Sequence, residues 1–326
     1  MKLHLAPVFA TAFALMTPFA AQAETLTLYT SQPNADAQKT VDAFTAAHPE
    51  IKVEWVRDGT TKLMARLRAE IEAGNPQPDV LLIADMVTLE GMAQDGLLQP
   101  HMSSEAQAYD PALFNAEGYY YSTKLITTGI VYNTAADTIP ASWKDLAADD
   151  MVGKVVMPSP LYSGAALIHL ATLTSDADLG WEYYETLAAN QTRAQGGNGG
   201  TFKAVASGEK PYGVVVDFLA IRNKAKGSPV DFVFPSEGVS YVTEPVAIMS
   251  SAKNVAAAGK FVDFLLSEQG QELVLEMGYI PARNGMGVPE GFPARDAIKL
   301  MAFDPAAALV NAEANKTRFA EVFGVK

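Results

Sequence analysis

The chain has 326 residues, with 24 Lys and Arg against 37 Asp and Glu, a formal net charge of −13 at pH 7, and no cysteine. The missing thiol excludes disulfides, thiol catalysis and cysteine metal sites. The acidity, with no basic run or stripe, argues against a nucleic-acid partner, whereas a small anion held by local dipoles remains compatible.

Residues 1–23, MKLHLAPVFATAFALMTPFAAQA, read as a secretory signal peptide: Lys2, an apolar stretch over residues 5–20, then Ala21-Gln22-Ala23 as the cleavage site. Pro7 and Pro18 interrupt the stretch and leave it short of the roughly 20 clean apolar residues of a membrane anchor. Cleavage after Ala23 predicts an exported, periplasmic protein. What remains is long enough for two domains with separate cores.

ETLTLYTSQPN alternates into a strand over residues 25–30 and breaks at Pro33-Asn34. Helical spacing of Ala37, Val41 and Phe44 follows, then a second alternating strand, IKVEWVRD, ending at Asp58-Gly59. TTKLMARLRAEIEAG puts Leu63, Leu67 and Ile71 on one helix face, with Gly74 just past its end. DVLLIAD is a continuous apolar run, the mark of a parallel strand buried on both faces. This strand–helix alternation predicts a doubly wound α/β sheet, whose ligands sit beyond the carboxyl ends of its strands. Those ends carry Ser31, Gly59-Thr60-Thr61 and Asp85.

A second α/β set starts near KLITTGIVYN and includes GKVVMPSP, a helix from Ser163, a helix over residues 181–189, GGNGGTFKAVASGE, YGVVVDFLAIRNKAKG and DFVFPSEG. EPVAIMSS reads as a strand leading back, and AAAGKFVDFLLSEQGQELVLEMG as an amphipathic helical pair. The expected layout is lobe 1 from residues 24–125 plus 246–326, lobe 2 from residues 126–245, and a cleft between them. His48, His101 and His169 are singletons without metal-ligand spacing. A serine such as Ser163 at a helix start caps it, and the same geometry, with first-turn N–H groups and the helix dipole converging, seats an anion.

The stretches YTSQPNADAQKTVDAF, DVLLIAD, SGA and GKFVDFLLSEQGQEL resemble periplasmic solute-binding proteins of ABC importers, in the branch of ferric-iron, phosphonate and sugar-phosphate binders. The resemblance covers essentially the whole chain after residue 23. It implies a type II periplasmic-binding-protein fold, two α/β lobes closing over a ligand without chemistry, and the transmembrane subunits of a permease as partners. A monomer without cofactor is expected. Iron binders of this branch use a His after the first strand, an acid after the third, and two adjacent tyrosines. Carried over by position, these places hold Pro33, Ala84 or Asp85, and Asp217-Phe218. Pro and Phe cannot ligate iron, so no metal site is expected. Tyr183-Tyr184 and Tyr119–Tyr121 are the alternative phenol sources if ferric iron is the ligand after all.

The same resemblance implies a phosphate seat on a Ser-Gly-Ala helix start with a later Asn. Both parts survive here as Ser163-Gly164-Ala165 and Asn198. Asp217, expected at the carboxyl end of an apolar strand facing the cleft, and Asp85 would then present carboxylates to an ammonium group; capping a helix is the other reading of each. Ser31, Thr60 and Thr61 would add hydroxyls from lobe 1, and Phe218 would pack on the ligand's linker. Glu237 falls where sugar-phosphate binders carry a sugar-contacting Glu, but Phe218-Leu219 replace their His-Asp pair. The best match is a small zwitterionic phosphonate, 2-aminoethylphosphonate. A sugar phosphate or another phosphate ester is the alternative within the class. A secreted phosphoester hydrolase is the alternative outside it; that chemistry needs a metal pair or an activated nucleophile, and neither is legible.

Overall fold

The computed structural model describes Met1 and residues 24–325, so the expected signal peptide, Met1 apart, lies outside the described residues. The first elements are Glu24–Thr30 (β1), Asn34–Ala47 (α1), Ile51–Arg57 (β2), Thr60–Glu72 (α2), Val80–Leu82 (β3), Met86–Gln94 (α3), Leu98–Gln99 (β4) and Tyr120–Tyr121 (β5). Lys124–Asn133 (β6), Val155–Met157 (β7), Gly164–Ser175 (α4), Gly180–Ala189 (α5) and Arg193–Ala194 (β8) follow. Next come Asn198–Ala206 (α6), Tyr212–Val216 (β9), Asp217–Lys224 (α7), Val230–Val233 (β10) and Ser240–Val242 (β11). The chain closes with Val246–Met249 (β12), Val255–Leu266 (α8), Glu268–Glu276 (α9), Ile280–Pro281 (β13) and Pro305–Phe323 (α10).

Two sheets form. The first runs β2-β1-β3-β12-β4 with β5 on β12, and the second runs β10-β6-β9-β7-β8 with β11 and β13 on β6. Strand β1 is parallel to β2 and β3, whereas the returning β12 is antiparallel to β3 and β4. The two-residue side-chain period sorts the first sheet into two buried faces. Leu26, Leu28, Val80 and Leu82 pack with Phe44 of α1 and Phe261 of α8, while Tyr29, Leu81 and Ile83 pack with Leu63 and Leu67 of α2. Burying one such side chain contributes about 1.5–3 kcal/mol, so each face alone anchors its helices. In the second sheet Ile130 and Val214 face the α4–α5 side, and Val131 and Val215 face α6 and α7.

These are the two lobes of the expected α/β architecture. The chain crosses between them at residues 122–124 and again at 243–245, where the backbone N–H groups of Thr123 and Lys124 both donate to the carbonyl of Thr243. The expected lobe limits need one correction. The segment after residue 280, assigned to lobe 1 from sequence, packs largely on lobe 2. Strand β13 pairs with β6, Leu300 bridges to Val239, and Phe319 of α10 sits in the core with Tyr184 and Trp143. Arg318 holds it there, 4.4 Å over the Trp181 ring and 2.9 Å from Glu185. The physical reason is amphipathicity: the lobe 2 core is open on the α4–α5 side until α10 covers it. No helix among the described residues is long and apolar enough to cross a membrane.

Candidate ligand-binding cleft

A cavity of about 390 Å³ lies between the lobes, at the carboxyl ends of the strands. That is at the small end of the roughly 300–1,000 Å³ usual for ligand sites. Among the described residues, the first turns or caps of five helices border it: Pro33 before α1, Gly59 and Thr60 of α2, Ser163 and Ala165 of α4, Gly197 to Gly200 of α6, and Val216 and Phe218 of α7. First-turn N–H groups have no partner within their own helix, and each helix adds a partial positive charge at that end. Arg57, at the end of β2, and Lys203 of α6 add full positive charges.

Hydroxyls complete the lining. Ser163 caps α4 by accepting from the Ala166 N–H at 3.3 Å, and it also accepts from Asn198 Nδ2 at 3.2 Å. Both bonds use its lone pairs, which leaves the O–H proton for an incoming oxyanion. Asn198 is fixed in turn, because its Oδ1 accepts from the Val216 N–H at 3.1 Å. Ser31 Oγ likewise accepts from the Ala84 N–H at 2.9 Å. Thr60 is buried, and its hydroxyl has no hydrogen-bond partner among the described residues. Arg57 spends only its Nε, on the Gln32 carbonyl at 2.8 Å.

The lobes touch across this cleft. Thr61 Oγ1 donates to the Pro160 carbonyl at 3.3 Å, and the Tyr162 hydroxyl donates to Asp58 at 3.1 Å. Gly164 stands so close to lobe 1 that a Cβ there would lie 2.6 Å from the Ala84 carbonyl oxygen. Thus, of the residues singled out in the sequence, Ser31, Thr60, Ser163, Ala165 and Asn198 line the cavity, and Thr61 and Gly164 lie at the seam where the lobes touch.

Three expected carboxylates are not in the cavity. Asp85 is the N-cap of α3, accepting from the Thr88 N–H at 3.1 Å and from the Thr88 hydroxyl, and it borders a separate, largely apolar cavity beside α10. Asp217 turns into the sheet. Its Oδ2 accepts from the N–H and hydroxyl of Thr127 at 2.8 and 2.7 Å, and its Oδ1 from the Phe218 N–H at 2.6 Å. Glu237 accepts from Ser142 Oγ at 2.6 Å and from the Trp143 N–H at 3.1 Å, away from the cleft. The shared reason is that a carboxylate with limited solvent access settles where donors are concentrated, as at the α3 start for Asp85, at Thr127 of β6 for Asp217 and at Ser142-Trp143 for Glu237. Tyr183 and Tyr184 are buried in the lobe 2 core, and Tyr120 and Tyr121 in lobe 1. Among the described residues no three His, Asp or Glu side chains form a metal-holding group.

Sequence reasoning missed Arg57, Tyr162, Lys203 and Glu244. Arg57 had a legible signal, a cation at the carboxyl end of a strand directly before DGTT. Glu244 opens the EPVAIMSS segment at the second lobe crossing, and only placing that crossing reveals it.

Burial pushes the Asp217 carboxyl up to about 7, against the donors from Thr127 and Phe218 that favour its charge. The folded state therefore binds this proton more tightly than the unfolded chain. Stability from this group is present at low pH and is lost as pH rises from about 4 to 7. Measured by urea unfolding, the wild type is expected to lose stability relative to Asp217→Asn by roughly 1.4 kcal/mol per pH unit across that window. A difference that stays flat with pH would refute the buried-proton account.

The chain matches the family described as bacterial extracellular solute-binding protein over residues 39–299. It belongs to that family. This solute-binding protein is 28% identical over 281 residues to a probable ABC transporter periplasmic-binding protein, y4fP, of Sinorhizobium fredii, covering 80% of this chain and 75% of the relative. Its fold matches that of the periplasmic binding protein AfuA of Actinobacillus pleuropneumoniae, solved with exogenous fructose-6-phosphate bound. There the TM-score is 0.84 at 22% identity, over 93% of this chain and 99% of that one. Iron-bound HitA of Pseudomonas aeruginosa matches with a TM-score of 0.79 at 23% identity, over 91% of this chain and 99% of that one. At these identities the structural likeness establishes the two-lobe fold of the solute-binding protein, not its ligand.

Proposed function

We propose that this protein is the periplasmic substrate-binding component of an ABC importer and that its solute is a small phosphonate, with 2-aminoethylphosphonate the concrete candidate. The observation that carries the reading is the Ser163–Asn198 pair at the α4 start, inside a cavity bordered by five helix starts and by Arg57 and Lys203. Such a lining supplies many donors converging on a small space, which suits a tetrahedral oxyanion. The donors come from both lobes, so binding one anion favours closure. Proteins with related folds bind iron or a sugar phosphate. In this chain the phenols of Tyr183 and Tyr184 are buried in the lobe 2 core, which weighs against iron.

Calorimetric titration of ligand-stripped protein with 2-aminoethylphosphonate, ethylphosphonate, inorganic phosphate, glucose 6-phosphate and ferric citrate tests this. Tight binding of the aminated phosphonate is expected. Ser163→Ala should weaken it by about 10- to 100-fold, the loss of one hydrogen bond to a charged group. Heat from ferric citrate or glucose 6-phosphate alone would overturn the ligand assignment.

A further inference from the structure

The two crossovers carry a polar cluster that the anion seat does not use. Lys124 opens β6 where the chain first leaves lobe 1, and Glu244 precedes β12 where it returns. Both are nearly inaccessible, at 1% and 3% exposure, and Lys124 Nζ lies 2.5 Å from Glu244 Oε2. Gln32 Nε2 donates to the same Oε2 at 3.2 Å, while the Lys124 ammonium stands 4.3 Å from the centre of the Tyr279 ring. Glu244 Oε1 has no partner among the described residues, and the residue borders the ligand cavity.

Two further observations set this cluster apart. Gln32 Oε1 is a buried acceptor without a partner in the same cluster. Buried polar atoms are paired in the large majority of cases, so this orphan shows that the cluster around Glu244 holds more acceptors than donors. Glu244 also holds φ at 41°, a left-handed backbone that a non-glycine residue rarely adopts. Its carbonyl is pinned there by the Thr123 hydroxyl at 2.7 Å. Strained backbone persists where the surroundings over-determine it, and such positions concentrate at binding sites. The rest of the cavity's polar lining is dominated by donors: Ser31, Thr60, Ser163, Asn198, Arg57 and Lys203. Glu244 brings a charged acceptor to that lining.

We propose that Glu244 is the specificity-determining residue of the cleft, accepting a hydrogen bond through Oε1 from a cationic group, a primary ammonium, on the far end of the ligand from its oxyanion. Lys124 and Gln32 act as positioning residues that orient the carboxylate by occupying Oε2. The inference rests on the reading above and adds to it the residue that selects for the amine. It also replaces the expected ammonium partners Asp85 and Asp217, which point elsewhere.

The test compares 2-aminoethylphosphonate, 2-hydroxyethylphosphonate and ethylphosphonate by calorimetry on wild type, Glu244→Gln, and the double variant Lys124→Met with Glu244→Gln. Wild type should prefer the aminated ligand over ethylphosphonate by about 10- to 100-fold, the range of a charge-assisted hydrogen bond. In both variants that ratio should fall toward one, whatever the absolute affinities. If Glu244→Gln fails to fold because Lys124 is left buried without its partner, the double variant, with neither charge, reads the same ratio. A preference that survives in the double variant, or equal binding of the hydroxylated and aminated ligands by wild type, overturns the assignment of Glu244 and leaves the oxyanion site standing. No response of wild type to any of the three phosphonates overturns the oxyanion reading and this inference together.

Discussion

Gly164→Ala is expected to weaken binding of 2-aminoethylphosphonate about 100-fold by holding the lobes apart. A Cβ on residue 164 would sit 2.6 Å from the Ala84 carbonyl oxygen and 2.9 Å from Thr60 Cβ, both on the opposite lobe. The first of these atoms is backbone, so relief requires the lobes to part. An open cleft loses the lobe 1 donors Ser31 and Thr60, and 100-fold corresponds to about 2.8 kcal/mol. Within α4 itself, exchanging glycine for alanine favours the helix by roughly 0.5–1 kcal/mol. Calorimetry with and without the substitution reads the affinity, and small-angle scattering with saturating ligand reads closure. Normal affinity with normal compaction would mean that the lobes meet in another arrangement when ligand is bound.

Lys124→Met should be the most destabilising single change in the crossover region, by about 3–5 kcal/mol, because it leaves the Glu244 carboxylate buried without its cation. The pair itself adds little beyond what matched apolar groups would provide. The double variant Lys124→Met with Glu244→Gln should therefore recover most of the loss. Urea unfolding of the wild type, the two single variants and the double variant gives the coupling energy directly. Additive losses would show that the short Lys124–Glu244 contact carries no net coupling. Arg222 and Asp36 form a second interlobe pair, 3.1 Å apart and more exposed, where solvent screening makes the expected cost smaller.

Local sequence was a good guide wherever a short-range physical rule acts alone. KLITTGIVYN became β6 over the same ten residues, and the strand, helix and Gly-74 stop around α2 follow the apolar spacing of Leu63 and Leu67. The Ser163 cap was legible for the same reason, since a serine at a helix start accepts from an N–H within three residues of it. Ser31 and Thr60 could be placed at the cleft because strand ends point there in a doubly wound sheet, whereas Ser163 and Asn198 were placed there by the family resemblance. The direction of a carboxylate was not legible. Asp217 stands at such an end, yet Thr127, 90 residues earlier in the chain, offers two donors from the neighbouring strand and takes it.

By itself, then, the sequence determined the α/β alternation, the two-lobe division, the return through EPVAIMSS and the cap at Ser163, all of which follow from period, capping and burial within a few residues. Tertiary structure decided which charges border the cleft. Glu244 borders the cavity because the two crossing segments, residues 122–124 and 243–245, run side by side between the lobes, Asp85 and Asp217 do not because other donors outcompete the cleft, and α10 lies largely on lobe 2 because that core needs a cover. Each of these is set by partners distant in the chain, and a linear pattern carries no record of which distant partner wins.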